Sequence, residues 1–122
     1  MKFSHKNITN ISIMKNINKI LISSHTGHLH ISYDDILYLQ AEGRKTIFMM
    51  IDGNKYFVHQ TLTSMHSNIY SPLFLRCSRK FVVNFHFVKF IYPGYTDLLL
   101  STGKKIPISK NKGMEIKNFI QG

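Results

Sequence analysis

From Lys19 onward the chain is a succession of short segments rich in Ile, Phe, Tyr and Val, recurring about every eight to twelve residues with turn residues between them. That spacing leaves no room for long helices and predicts a mainly β domain. The segments Lys19–Ser23, Leu29–Ser32, Ile36–Gln40, Thr46–Ile51, Tyr56–His59, Leu73–Leu75, Phe81–Val83, Val88–Tyr92, Asp97–Ser101 and Lys105–Ile108 make about nine or ten short strands. Asp52-Gly53-Asn54 is the strongest hairpin signal, because Gly and Asn accept positive φ. Two modest helices are expected. Thr61 caps a short central one running through Tyr70, with Leu62, Met65 and Ile69 on one face and Ser71-Pro72 as its stop. Ser109 caps a C-terminal helix whose Ile116, Phe119 and Ile120 are spaced to pack inward. Residues 1–24, polar at their start, read as an N-terminal arm or extra strands, partly disordered, ahead of a single domain over 25–122.

Charge narrows the function. Sixteen Lys and Arg against six Asp and Glu give a net charge of +10, which calls for an anionic partner, either nucleic acid or an acidic surface. Residues 74–117 hold nine basic residues (Arg76, Arg79, Lys80, Lys89, Lys104, Lys105, Lys110, Lys112, Lys117) against Asp97 and Glu115. They gather at strand ends and turns, whereas a coat for solubility would be interspersed with acids. In Ser109-Lys110-Asn111-Lys112-Gly113 the first helical turn carries two lysines where the macrodipole prefers carboxylates. That placement makes sense with a phosphate at the helix N-terminus. In a major groove Asn111 can pair bidentately with adenine, and Arg79 with guanine. One cysteine, Cys77, excludes a disulfide framework, and no apolar run is long enough to span a bilayer, so a cytoplasmic location is expected.

The block Phe74-Leu75-Arg76-Cys77-Ser78-Arg79-Lys80-Phe81-Val82-Val83-Asn84 resembles the signature of LytTR DNA-binding domains. In that family the block runs Phe, any residue, Arg, any residue, His, a polar or basic residue, Ser, an aromatic, a hydrophobic, Val and Asn. Asp35 to Gly43 is similar to the family's opening strand and acidic-Gly turn, Leu62 to its short helix, and Ile106-Pro107-Ile108-Ser109 to its late Pro-Val-Ser element. The resemblance implies an elongated stack of small antiparallel sheets. It also implies a bacterial transcriptional regulator without enzymatic activity or cofactor, usually the output half of a two-component response regulator. Its partner would be double-stranded DNA with paired short repeats, bound by two copies, with loops from three regions entering successive major grooves.

Carried onto this chain, the three regions are Arg44-Lys45, Ser78-Arg79-Lys80 and Lys110-Asn111-Lys112, with Arg76, Ser109 and Asn84 in support. Arg76 is expected to buttress the loop while Arg79 reaches outward. Two departures stand out: Ser78 where the family has His, and Lys80 where it has Ser. They leave DNA binding intact and put the base preference in question. The sequence shows no receiver domain, so control would come from an upstream half that was removed or from a separate sensor or membrane regulator.

Other residues carry weaker signals. His25, His28 and His30 invite a metal, but no cysteine lies near them and no metal site is assigned. Cys77 stands between Arg76 and Arg79, a setting that favours a thiolate, although strand cysteines are more often inert packing residues. Phe74, Phe81, Phe85, Phe87 and Phe90 are mostly core rather than base-stacking platforms. Two alternatives to a duplex-DNA regulator remain open at this point. One is a single-stranded nucleic-acid or RNA module of the OB kind. The other is a basic scaffold for an acidic protein or membrane surface.

Overall fold

The computed structural model describes residues 18–24 and 26–122. The expectations for residues 1–17 and for His25 lie outside the described residues. The described residues form β1 (Lys19–Ser24), β2 (Gly27–Ser32), β3 (Ile36–Glu42), β4 (Lys45–Met50), β5 (Lys55–Val58), α1 (Leu62–Ser67), β6 (Phe74–Arg76), β7 (Phe81–Asn84), β8 (Val88–Ile91), β9 (Asp97–Leu100), β10 (Lys105–Pro107) and α2 (Lys110–Gln121). These ten strands make three antiparallel sheets: β1-β2, β5-β4-β3-β7-β6 and β10-β9-β8. The mainly β class and the two helices agree with the sequence reading.

The five-stranded sheet is the middle layer, and the reason is visible in β3. A strand buried on one face alternates apolar and polar residues, whereas Ile36-Leu37-Tyr38-Leu39 is apolar throughout and buried throughout. Leu39, Phe48 and Val82 face one core, shared with Ile20 and Ile22 of β1, Ile31 of β2, and Leu62 and Met65 of α1. Tyr38 and Val83, one residue along each strand, face a second core with Leu98 and Leu100 of β9, Ile106 of β10 and Ile116 of α2. Truncating a fully buried side chain such as Leu39 to Ala would cost about 2–5 kcal/mol.

Three local features differ from the sequence reading. Thr61 does cap α1, its hydroxyl accepting from the Ser64 N–H, but the helix stops at Ser67 instead of Tyr70. Tertiary bonding wins there: the Tyr70 N–H donates to the buried Tyr33 hydroxyl at 3.1 Å, and Ile69 still reaches the core from irregular chain. Ser109 occupies the cap position of α2, yet its side chain does not cap: its single O–H points to Asn111 Oδ1 at 2.7 Å, with the Cys77 carbonyl 3.3 Å from the same oxygen. Finally, Ile116 alone of the three expected α2 residues is buried. Phe119 and Ile120 are 37% and 41% exposed. The start of α2 is held against the Pro93–Tyr95 turn, where a Cβ on Gly113 would lie 3.5 Å from Tyr95 Cβ, and near its end Phe119 meets half-buried Phe85 in a T-shaped contact.

Candidate nucleic-acid interface

Strand register determines which loops share an end of the middle sheet. β3 pairs with β7 through Gln40↔Phe81 and with β4 through Glu42↔Lys45. The end of β3 therefore lies beside the start of β7, and the β3–β4 and β6–β7 turns emerge together. The Ala41 N–H donates to the Lys80 carbonyl at 2.8 Å, fastening one turn to the other. Thr46 lies at the same end, where its buried hydroxyl donates to the Gln60 carbonyl at 2.8 Å and holds the chain entering α1. α2 starts there too, because the Ser109 N–H donates to the Cys77 carbonyl at 2.9 Å.

The β6–β7 loop is built to hold its backbone and release its side chains. The Cys77 N–H closes it onto the Phe81 carbonyl at 2.9 Å. The Ser78 hydroxyl oxygen accepts from the Lys80 and Phe81 N–H groups at 3.1 and 3.3 Å. The Arg76 guanidinium reaches back over the loop, donating to the Ser78 carbonyl at 2.6 Å and the Arg79 carbonyl at 3.2 Å. Its remaining arm donates to the Thr63 hydroxyl of α1 at 3.1 Å. Arg79 is exposed, and its guanidinium has no hydrogen-bond or salt-bridge partner among the described residues. The loop thus fixes where Arg79 starts and leaves its fork of donors free.

Opposite the loop stands the first turn of α2. No acidic residue occupies that turn and no side chain caps it. The Lys112 and Gly113 N–H groups donate to the Ser109 carbonyl, while those of Lys110 and Asn111 have no acceptor among the described residues. Together Thr63, Arg76, Ser78, Arg79, Ser109, Asn111 and Lys112 line an open cleft of about 470 Å³. Three cations and no carboxylate line it, and one of them, Lys112, pairs with Glu115 at 3.4 Å in a half-exposed i,i+3 pair. A cleft of one charge sign with unpaired helix N–H groups favours an anion.

Of the residues the sequence singled out, Ser78, Arg79, Asn111 and Lys112 are brought into this cleft, with Arg76 and Ser109 behind them. Arg44 and Lys45 are exposed on the neighbouring β3–β4 turn, where Gly43 at φ 61° supplies the left-handed residue that a two-residue hairpin needs. Lys80 is exposed beside the cleft. Lys110 turns to a different groove, with Tyr95, Met114 and Lys117. Asn84 lies at the opposite end of β7, buried, its amide donating to the Tyr33 and Ile36 carbonyls and its oxygen accepting from the His86 N–H. Sequence reasoning passed over Thr63, whose only signal is a hydroxyl one turn into a capped helix. Burial decides the case of Cys77: the thiol is fully enclosed and pushed up to about 12, the reverse of an activated thiolate. Among the described residues no group of His, Cys, Asp and Glu is placed to hold a metal.

Residues 26–121 match the family model of the LytTr DNA-binding domain. The chain belongs to the LytTR family of DNA-binding domains. Members of this family serve as the DNA-binding part of transcriptional regulators, and such domains are typically not enzymes. The chain is 30% identical over 89 residues to the sensory transduction protein LytT of Bacillus subtilis, covering 70% of this chain, and 25% identical over 95 residues to that of Bacillus cereus, covering 75%. It spans 36% and 38% of the length of those two relatives. A solved LytTr DNA-binding domain from Bacillus cereus superposes with a TM-score of 0.70 at 21% identity, covering 84% of this chain and 96% of that one. Among the described residues no helix is long and apolar enough to cross a membrane.

Proposed function

We propose that this LytTR domain reads duplex DNA sequence with the loop end of its middle sheet, Arg79 being the base-reading side chain and the first turn of α2 its counterpart across the cleft. The observation that carries this reading is the construction of the β6–β7 loop. Arg76 spends its guanidinium on the loop carbonyls, so Arg79 projects from a fixed point with its donors uncommitted. An arginine so held suits the two acceptors of a guanine edge in the major groove. Asn111 offers its amide from the facing wall. Lys112, Lys80, Lys45 and Arg44 neutralise phosphates around them, and the unpaired N–H groups at the start of α2 receive one more.

The two ends of this interface, the β3–β4 turn and α2, flank the central loop, which supports docking across successive major grooves and hence on paired short repeats with two copies per site. The regulator works in the cytoplasm under a sensor, in keeping with the sensory transduction proteins it resembles. The test is a salt titration of duplex affinity. With about five phosphates neutralised, the log–log slope is about −4.5. Single-stranded DNA bound in preference to duplex, or anionic liposomes bound without duplex affinity, would contradict the reading.

A further inference from the structure

One element at the interface belongs to neither of the cleft walls. The β9–β10 turn comes from the outer three-stranded sheet, yet it brings Lys104 back to the β6–β7 loop. Lys104 Nζ lies 6.0 Å from the centre of the Phe81 ring, and Lys80 Nζ lies 5.9 Å from the same centre. The two ammonium groups therefore stand within about 12 Å of each other on one platform. That platform is rigid. Phe81 is 7% exposed and packs edge-on against Tyr38 at 5.9 Å. The backbone under Lys104 is pinned as well, the Leu100 N–H donating to the Lys104 carbonyl at 2.8 Å and the Gly103 N–H to the Leu100 carbonyl at 2.9 Å.

Two cations drawn to one aromatic ring repel each other, and Lys104 and Lys80 have no salt-bridge partner among the described residues to relieve that repulsion. An anion seated between them relieves it. Nothing in the cleft uses this pair, since neither lysine lines it. Lys80 also stands where the family pattern has Ser, so the pairing is a property of this chain.

We propose that Lys80 and Lys104, converging on the Phe81 ring, hold one backbone phosphate of the bound duplex between them, making the β9–β10 turn a further contact arm. The inference rests on the duplex-binding reading above and adds to it a residue from the outer sheet. A phosphate clamp positions the domain without reading sequence. It also links the loop end of the middle sheet to the second core, because Leu100 at the base of the turn is fully buried there.

The experiment compares wild type with Lys104→Gln, Lys80→Gln, the double variant, and Lys55→Gln at the opposite end of the sheet, by duplex titration over a salt series with a parallel thermal melt. Lys104→Gln and Lys80→Gln should each weaken binding about three- to tenfold, equally for specific and unrelated duplexes, and flatten the log–log slope by about one. The double variant should lose less than the product of the single losses, because one phosphate is shared. Lys55→Gln should match wild type, and no variant should shift its melt. A Lys104→Gln protein with the wild-type slope, or one whose loss tracks a lowered melting temperature, overturns the clamp while wild-type duplex binding stands. Absence of duplex binding by wild type overturns the underlying reading and the clamp with it.

Discussion

The two ends of β7 solve the same local problem with opposite outcomes. At each end the chain turns sharply and a polar side chain satisfies backbone groups that the ladder leaves over. At the far end Asn84 does this completely: buried at 2% exposure, it uses both amide hydrogens and its oxygen on Tyr33, Ile36 and His86. At the loop end Ser78 and Arg76 satisfy the backbone, and the cations Arg79 and Lys80 are left over, exposed. The difference teaches where to look for function in this fold. Both ends are bonded internally, and at the loop end two cationic side chains, Arg79 and Lys80, are left exposed with no hydrogen-bond or salt-bridge partner among the described residues.

The sharpest way to break that comparison is Asn84→Leu. It removes three hydrogen bonds, those to the Tyr33 and Ile36 carbonyls and from the His86 N–H, so stability should fall by about 3 kcal/mol in urea unfolding. Duplex affinity of the protein still folded at low temperature should be unchanged. Arg79→Ala should do the converse: about 1–3 kcal/mol lost from binding to the best duplex, with relaxed base preference and an unchanged melting curve. Arg76→Ala should blur the two classes, because the same guanidinium holds the loop and braces α1. Stability should drop by about 1 kcal/mol, and Arg79-dependent preference should weaken with it.

The smallest effect expected is a pH dependence behind the cleft. His66 Nε2 donates to the Phe74 carbonyl at 2.8 Å, and burial, joined by the Arg76 and Lys112 charges, holds its pKa below the usual 6.5. The unfolded chain therefore binds the proton more readily. The His66 contribution is complete above about pH 6.5 and is lost as pH falls below it. The melting temperature should decline on acidification through that range, and His66→Gln, which keeps a donor without titrating, should flatten the decline. An identical pH profile in the variant would remove His66 from the account.

Strand positions were legible in the sequence because β3, β4 and β7 carry apolar runs bounded by turn residues, and the observed strands begin and end within two residues of the expected ones. What lay beyond reach depended on contacts between distant segments. Nothing local announces that the Tyr33 hydroxyl will take the Tyr70 N–H and cut α1 short, or that the Ser109 N–H will donate to the distant Cys77 carbonyl. The same holds at the interface. The family pattern pointed to Arg44-Lys45, Ser78–Lys80 and Lys110–Lys112, and the charge cluster to the last two, but strand register is what sets the β3–β4 turn beside the β6–β7 loop. Lys110 and Lys112 are two residues apart on a helix and so face different grooves. The flanking arginines of Cys77 left an activated thiol open beside the favoured reading of an inert packing residue, and burial bears out the latter.

The central claim, that the loop end of the middle sheet reads duplex sequence through Arg79, is tested most directly by selecting from a randomised duplex library at near-physiological salt with wild type and Arg79→Ala in parallel. The account predicts two spaced copies of one short motif for wild type, and a pool from the variant in which one position of that motif has lost its preference. Duplex binding without enrichment, or the same motif undiminished from the Arg79→Ala protein, would contradict it.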